Sequence, residues 1–248
     1  MMARMIIGMI MAIVTDTPMA EVALYDLLSW LSPSYPIGAF AHSSGLEWAV
    51  EAGHATDRMS AEQWIDTVVE RGSIRTDAVI FVHAHRAVLA QDLDRFLQVA
   101  ELAAANLTSH ERRVEATAQG AAFRRIATTT ADAPALAMLG TIDDSELSYP
   151  IAVACLTAAH GIGLEQALTA FLHGVVANLV SAAQRLIPLG QTDGQLMLRA
   201  LRERVFASVV EVIALGDGDP FGQIGSASLY ADLACMAHET QYTRLFRT

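Results

Sequence analysis

Helical periodicity runs through almost the whole chain, and it constrains the fold more than any other feature. A first amphipathic stripe has apolar residues at i, i+3, i+4 and i+7, namely Leu24, Leu27, Leu28 and Leu31. Three S/T-x-x-E/Q capping boxes predict further helix starts, at Ser60–Gln63, Thr108–Glu111 and Thr192–Gln195, and Asp92 is predicted to cap the helix that follows it. The period-two alternation typical of strands is never sustained. We therefore predict an all-α, single-domain bundle of about eight to ten helices.

Every basic residue of this chain is arginine, which excludes several classes of enzyme. The chain has 16 basic and 27 acidic residues, a net charge of −11, and no lysine. A P-loop NTPase, a protein kinase and a pyridoxal enzyme each need a lysine side chain. An acidic chain without a basic run also argues against a nucleic-acid interface. We expect neither nucleotide chemistry nor nucleic-acid binding.

The glycine-rich segment Gly216–Gly225 is similar to a phosphate-binding loop only in its glycines. It matches neither the dinucleotide pattern nor the Walker pattern, and it follows a predicted helix rather than a strand. Its two carboxylates, on Asp217 and Asp219, would repel a phosphate. We interpret this segment as a connector.

The eight histidines do not form a recognisable metal site. His83 and His85 are two positions apart, so on a helix they point in different directions and cannot hold one ion. The segment His238–Tyr242 begins like a zincin motif, but Tyr242 stands where the second histidine ligand belongs. We predict no metal site and no cofactor; a transient contact with nickel or zinc is left open.

Two apolar stretches bear on whether the chain is expected in a membrane. Met5–Val14 follows an arginine like the core of a signal peptide, but no small-x-small cleavage pattern comes after it. Gln166–Gln184 is uncharged and long enough to span a bilayer, but small and polar residues interrupt it, which favours a buried helix. The two cysteines, Cys155 and Cys235, lie far apart, which is typical of buried thiols in a reducing compartment. Together these features predict a cytoplasmic protein without a membrane segment.

The segment Ala41–Gly45 (A-H-S-S-G) supports an alternative function, a serine hydrolase with Ser43 as its nucleophile. The hydrolase elbow requires a strand before the serine. Pro33 and Pro36 precede it here and disfavour a central strand. The other interpretation is that Ser43 caps the N-terminus of a helix that has Glu47 in its first turn.

A small and polar stripe crosses the long uncharged helix. Gly174, Asn178, Ser181 and Arg185 fall at i, i+4, i+7 and i+11, on one side of it. One interpretation is a core helix whose small residues allow a neighbour to approach closely. The other is a stripe that faces a subunit seam or a wet internal passage, where Arg185 would meet a carboxylate.

The end of the chain is rich in side chains that anchor protein interfaces. Tyr242, Arg244, Phe246 and Arg247 are residue types enriched at interface hot spots. We therefore divide the chain into a variable, frayed extension (1–18), an all-α domain (19–237) and a partner-docking tail (238–248). We expect the tail to be disordered until a partner orders it.

Three segments carry a family resemblance. Leu31–Glu47 is similar to S-P-x-x-P-x-G-x-F-x-x-S-x-G-L-E, the N-terminal signature of the UreF family of urease accessory proteins. Ser181–Gln195 resembles the central S-A-x-x-R-L-x-P-x-G-Q-x-x-G-Q element of that family, and Ala237–Arg247 resembles its C-terminal H-E-x-x-x-S/T-R-L-F signature. The three occur in the family order and extend the resemblance from Glu21 to the end of the chain. Departures from the usual pattern are Ala39, His42, Ala237 and Thr248.

The resemblance implies a cytosolic, non-enzymatic, all-α homodimer that helps nickel reach apo-urease. Its implied partners are UreD (also called UreH), the GTPase UreG and the urease apoenzyme, with the nickel handled by the complex. A regulatory effect on the UreG GTPase, an arginine finger included, is left open. The residues implied at partner or dimer surfaces are Pro33, Pro36, Gly38, Phe40, Ser43, Gly45 and Glu47. Two more, Arg185 and Gln191, are implied near UreG or the dimer region. The residues implied to dock UreD are His238, Glu239, Tyr242, Arg244, Leu245, Phe246 and Arg247.

Overall fold

The computed structural model describes residues 19–131 and 133–248, and the all-α prediction is confirmed within them. The extension 1–18 and its apolar run Met5–Val14 lie outside the described residues. Ten α-helices occur in these ranges, and none of the described residues is in a strand. They are α1 (Met19–Trp30), α2 (Leu46–Glu51), α3 (Arg58–Arg71), α4 (Ser73–Leu89), α5 (Leu93–Ala105), α6 (His110–Thr130), α7 (Tyr149–Ala159), α8 (Leu164–Leu186), α9 (Gln191–Ala214) and α10 (Leu229–His238). Short 3₁₀ turns cover Ala39–Ala41, Pro134–Thr141 and Pro220–Gly222.

Helix α4 lies at the centre of the bundle. It packs against α3, α5, α7, α8 and α9, and twelve of its 17 residues are buried. Helix α7, its most extensive neighbour, is buried at nine of eleven positions. A helix that is apolar nearly all round is stable only inside a protein, so these two helices form the core on which the others pack.

Helix starts are predicted to within about three residues, and the errors have one cause. Asp92 caps α5 as its sequence suggests, accepting a hydrogen bond from an N–H three residues ahead at 2.9 Å. For α3, however, the cap is Asp57, and Ser60 is the third helical residue. Helix α6 is capped by Ser109 rather than its neighbour, and at α9 Asp193 accepts from the N–H of residue 190. The motif spacing allows several registers, and backbone geometry selects one.

The leucine stripe of α1 does not form one buried face. Leu27 and Trp30 are buried, whereas Leu24 is 57% exposed and Leu28 is 66% exposed. Only one side of α1 contacts the bundle, mainly through α8. The outer side of α1 is therefore an apolar surface in this chain.

Helix α8 is long and apolar enough to cross a membrane, and no other helix among the described residues is. Half of its most apolar stretch is buried within the protein, against helices that include α4, α7 and α9. That burial is typical of a core helix, which is the interpretation that the sequence favours.

Candidate functional site

Arg185 lies where the three family-like segments meet in space. Its guanidinium carbon is 4.2 Å from the centre of the Phe246 ring, and its Nη1 donates to the carbonyl oxygen of Phe40 at 2.6 Å. A guanidinium over an aromatic face is attracted by the ring quadrupole. Within this chain the head group of Arg185 meets a carbonyl and a ring, and its meeting with a carboxylate across a subunit seam stays a prediction.

Glu47, at the end of the N-terminal segment, anchors the tail. Its Oε1 accepts from the N–H of Leu245 at 2.5 Å, and its Oε2 accepts from the N–H of Phe246 at 2.9 Å. The same Oε2 is 2.9 Å from Nε2 of His238. The Glu47 side chain is nearly all buried, so these contacts replace the water that an ionised carboxylate would otherwise need.

His238 is the second anchor and is completely buried. Its Nε2 faces Glu47, and its Nδ1 is 2.7 Å from a carboxylate oxygen of Glu111 on α6. Each ring nitrogen therefore lies within hydrogen-bond distance of a carboxylate oxygen. Arg244 forms an ion pair with Glu111 at 3.1 Å. The start of the zincin-like motif is thus part of a buried hydrogen-bonded cluster. No group of three or more His, Cys, Asp or Glu side chains with metal-binding geometry occurs among residues 19–131 and 133–248.

The last two residues pair with the backbone of the N-terminal segment. Ser43 N–H donates to the carbonyl of Thr248 at 2.6 Å, and Arg247 N–H donates to the carbonyl of Ala41 at 2.7 Å. His42 Nδ1 lies 2.6 Å from the Thr248 hydroxyl, and burial lowers the pKa of His42. The tail, expected to be disordered without a partner, is packed on the domain here because its backbone N–H groups find acceptors there.

Ser43 has neither the position nor the surroundings of a nucleophile. It is completely buried, and its hydroxyl accepts a long hydrogen bond of 3.4 Å from the N–H of Glu47. The N-cap of α2 is Gly45 rather than Ser43, so that part of the prediction is wrong. Gly45 has φ +82°, and a Cβ there would lie 2.9 Å from the backbone nitrogen of Cys235, which explains the glycine.

The residues predicted at partner surfaces divide into an exposed set and a buried set, while Gly38 is half-buried. The exposed set is Pro33, Pro36, Phe40, Arg185, Gln191, Glu239, Tyr242, Arg244, Leu245 and Arg247. The buried set is Ser43, Gly45, Glu47, His238 and Phe246. The partner contacts of all of them stay predictions, but the buried set can act on a partner only by positioning the exposed set.

A cleft of about 240 Å³ lies beside this cluster, between residues 31–44, α4, α6, α7 and α8. Its charged wall is the buried Arg112, which is 2.8 Å from Glu115 and 3.2 Å from Asp77. Ser44 donates to Glu115 at 2.9 Å. Burial raises the pKa of Asp77 to about 6, more than the neighbouring Arg112 lowers it.

Sequence reasoning missed this charged wall. Glu111, Glu115 and Gln119 repeat every four residues on α6, so they share one face, but polar residues at helical spacing usually indicate a solvated surface. The stripe on α8 borders the same cleft. Its Asn178 donates to the carbonyl of His42 at 3.3 Å, and Gly174 lies against Leu31. Within one chain the stripe therefore receives residues 31–42.

Comparison with known proteins gives consistent results. The UreF family model matches residues 55–202. The urease accessory protein UreF of Bradyrhizobium sp. strain BTAi1 is 50% identical over 237 residues, which is 94% of this chain and 95% of that protein. The UreF proteins of Bradyrhizobium diazoefficiens and of Rhodopseudomonas palustris strain BisB5 are each 47% identical, over 91% of this chain and 92% and 91% of their own lengths. This chain belongs to the UreF family.

Proposed function

We propose that this chain is a urease accessory protein that acts as a non-catalytic scaffold in urease maturation. The names of its relatives support the pathway, and the interface-rich tail supports the scaffold role. The proposed partners are UreD (UreH), the GTPase UreG and apo-urease, with a second copy of the chain completing a cytoplasmic homodimer. Nickel is the cargo of that assembly, and this chain is proposed to hold the partners rather than the metal.

The observation that carries the proposal is the way the tail is held. Buried Glu47 and Glu111 bind the inner side of the tail, Glu47 through two N–H groups and both through His238, while Tyr242 is fully exposed and Leu245 is 65% exposed. An ordered segment that presents an aromatic and a leucine to solvent loses little further entropy when a partner covers it. We propose this surface, defined by Glu239, Tyr242, Arg244, Leu245 and Arg247, as the UreD-docking surface.

The tail is tested by capturing purified UreD on the intact chain and on variants of it. Tyr242→Ala with Leu245→Ser removes the two exposed apolar groups and leaves Glu47 and His238 in place. We expect capture to fall at least about tenfold and urease activation to fall with it. Phe206→Ala, an exposed aromatic of α9, is the matched control. Equal capture by the double variant and the control would remove the docking role of the tail.

For UreG, the proposal assigns Arg185 a positioning role. Its head group is occupied by the Phe40 carbonyl and the Phe246 ring, so it is not free to reach a nucleotide. Arg185→Ala should reduce UreG capture without changing the GTP turnover of each captured UreG. Arg185→Lys should restore part of the capture, because it keeps the charge but not the planar fork. A loss of turnover at saturating capture would instead indicate an arginine finger.

A further inference from the structure

The segment Gly216–Gly225 joins α9 to α10, and its glycines would suit a loose connector. In the structure it is held by side chains from α4 and α5, which contact its backbone along most of its length. Arg86 on α4 donates to the backbone carbonyl of Gly216 at 2.6 Å and pairs with the Asp217 carboxylate at 2.9 Å; it also donates to the carbonyl of Ile213, near the end of α9, at 3.2 Å. A half-buried guanidinium with this many acceptors is a strong anchor.

Further along the segment, Arg95 on α5 donates to the carbonyl of Gly218 at 3.0 Å and lies 3.1 Å from Nδ1 of His83. Because a guanidinium only donates, His83 Nδ1 must accept and its proton must be on Nε2. That Nε2 is 2.8 Å from the Gln223 side-chain oxygen, and Arg75 donates to the Gln223 carbonyl at 3.1 Å. Two helices therefore hold both ends and the middle of the segment.

The tip of the segment is an ordered turn that presents an aromatic ring. Asp219 accepts from the N–H of Phe221 at 3.0 Å and caps the turn Pro220–Gly222. Phe221 is 71% exposed, and the Asp217 side chain is 83% exposed. Arg86 pairs with Asp217 and so partly neutralises it, which leaves the exposed carboxylate of Asp219 as the main negative charge at the tip.

We propose that this segment is a second docking surface, which inserts Phe221 into an apolar pocket of a protein partner rimmed by lysine or arginine. An exposed aromatic on a rigid support is the kind of residue that dominates interface energetics. The outward carboxylates favour a basic rim, because charge complementarity steers association and sets register. The surface is distinct from the tail, whose anchors are on α2 and α6 and share no hydrogen bond with those of the segment. That the partner belongs to the urease maturation assembly rests on the function proposed above.

The first test measures the affinity of immobilised UreD, UreG and apo-urease, one at a time, for the full-length chain. Phe221→Ala should weaken binding to one of them by about tenfold or more, with Phe206→Ala as the control on another face. Asp217→Asn should weaken the same partner less and make its binding less sensitive to salt. Unchanged affinity of Phe221→Ala for all three would overturn the proposal.

A second measurement keeps the two proposals separate. Phe221→p-benzoylphenylalanine places a photo-reactive benzophenone at the tip, and cross-linking in the assembled complex should join it to a partner site flanked by basic residues. No cross-link, or one to a second copy of this chain, would overturn the docking surface. If the tail variants leave UreD capture intact while position 221 still cross-links to a partner, the tail assignment fails and this inference stands.

The Arg86→Gln variant tests whether the segment Gly216–Gly225 must be held rigid in order to bind its partner. The exchange of the Gly218 and Phe221 amides should become faster, and the affinity of the partner that depends on Phe221 should fall several-fold. Faster exchange with unchanged affinity would contradict a preorganised surface.

Discussion

Two irregular segments flank α10, and they are held in chemically opposite ways. The tail that follows it is held by carboxylates, because Glu47 accepts hydrogen bonds from backbone N–H groups of the tail. The segment Gly216–Gly225 that precedes it is held by guanidiniums, since Arg86 and Arg95 donate to backbone carbonyls. Neither segment can satisfy its own backbone groups as a helix does, so side chains from the bundle supply the partners.

The charge of the side chains that anchor each segment decides which charged side chains of that segment remain at the surface. Where carboxylates hold the backbone, the exposed charges of the tail include Arg244 and Arg247. Where arginines hold it, the exposed charges are Asp217 and Asp219. A chain with a net charge of −11 thus presents a cationic surface and an anionic surface on the two sides of one short helix. Two such surfaces suit two different partners.

The largest effect is expected when the carboxylate anchor of the tail is removed. Glu47→Ala removes the acceptor of two backbone N–H groups and the hydrogen-bond partner of buried His238, and each buried polar group left without a partner costs about 1–3 kcal/mol. Urea denaturation at neutral pH should show this loss of unfolding free energy, and exchange of the Leu245 and Phe246 amides should accelerate. The control is Glu51→Ala, at an exposed glutamate of the same helix. A loss no greater than that of the control would contradict the anchoring role.

A second prediction concerns how the unfolding free energy of the whole domain changes as the pH falls. His85 is completely buried, its Nδ1 has no partner, and burial lowers its pKa to about 4. Its folded pKa lies below its ordinary value of about 6.5. The stability it contributes is therefore present above pH 6.5 and is lost as the pH falls toward 4, by about 3 kcal/mol in full. Asp77, whose pKa is raised to about 6, has the opposite slope, so Asp77→Asn should steepen the acid loss in urea melts between pH 7 and pH 4. In the unmodified chain the two contributions largely cancel, so the test is the variant: a profile of Asp77→Asn that falls no more steeply than that of the unmodified chain would contradict the prediction.

A third variant removes an arginine that anchors the segment Gly216–Gly225. Arg86→Gln removes the contacts to Gly216, Ile213 and Asp217, which should lower the unfolding free energy by about 1–3 kcal/mol. Amide exchange should accelerate in the segment Gly216–Gly225 and stay unchanged in the tail. Arg202→Gln, at an exposed arginine whose ion pair is with adjacent Glu203, serves as the control. Accelerated exchange in both segments would mean that the two are coupled rather than separate.

Mild acid should weaken the support of the segment Gly216–Gly225 without any mutation. His83 must be neutral to accept from Arg95, and burial lowers its pKa, with Arg95 and Arg86 acting in the same direction. Its support of the segment is present above about pH 6.5 and is lost as the pH falls through the lowered pKa, by about 0.5–1.5 kcal/mol. Exchange of the Phe221 amide, corrected for intrinsic rates, should show the loss, and His83→Gln should remove the pH dependence. A variant that keeps the same pH dependence would assign it to another group.

The smallest effect is expected at the tip itself. Phe221→Ala should change the unfolding free energy by less than about 0.5 kcal/mol, because the ring is largely exposed. Phe96→Ala, at a buried ring, should cost about 3–5 kcal/mol in the same denaturation assay and shows that the assay detects such losses. A large loss for Phe221→Ala would mean that the ring packs in the fold rather than serving a partner.

Local sequence patterns predicted the helices well and their contacts poorly. The cap at Asp92 is correct, because a capping interaction needs only residues a few positions apart. The contact of Arg185 with the carbonyl of Phe40 was not predicted, since the two residues are 145 positions apart in the chain. Arg112 and Glu115 were missed for a related reason: a polar face on a helix has the same spacing whether it meets water or a buried wall.

The sequence by itself determined the all-α class, through periodicity and caps, and the chemistries that a chain without lysine cannot perform. It also carried the three segments that place the chain in the UreF family. Only the tertiary structure decided that these segments meet, that Glu47 and His238 are anchors rather than contact residues, and that a glycine-rich connector is held rigid. The physical reason is the distance along the chain over which each kind of interaction acts. Helix signals act over about four residues, whereas Glu47 binds His238 and the tail across 191 to 199 residues of chain, and only packing brings such groups together.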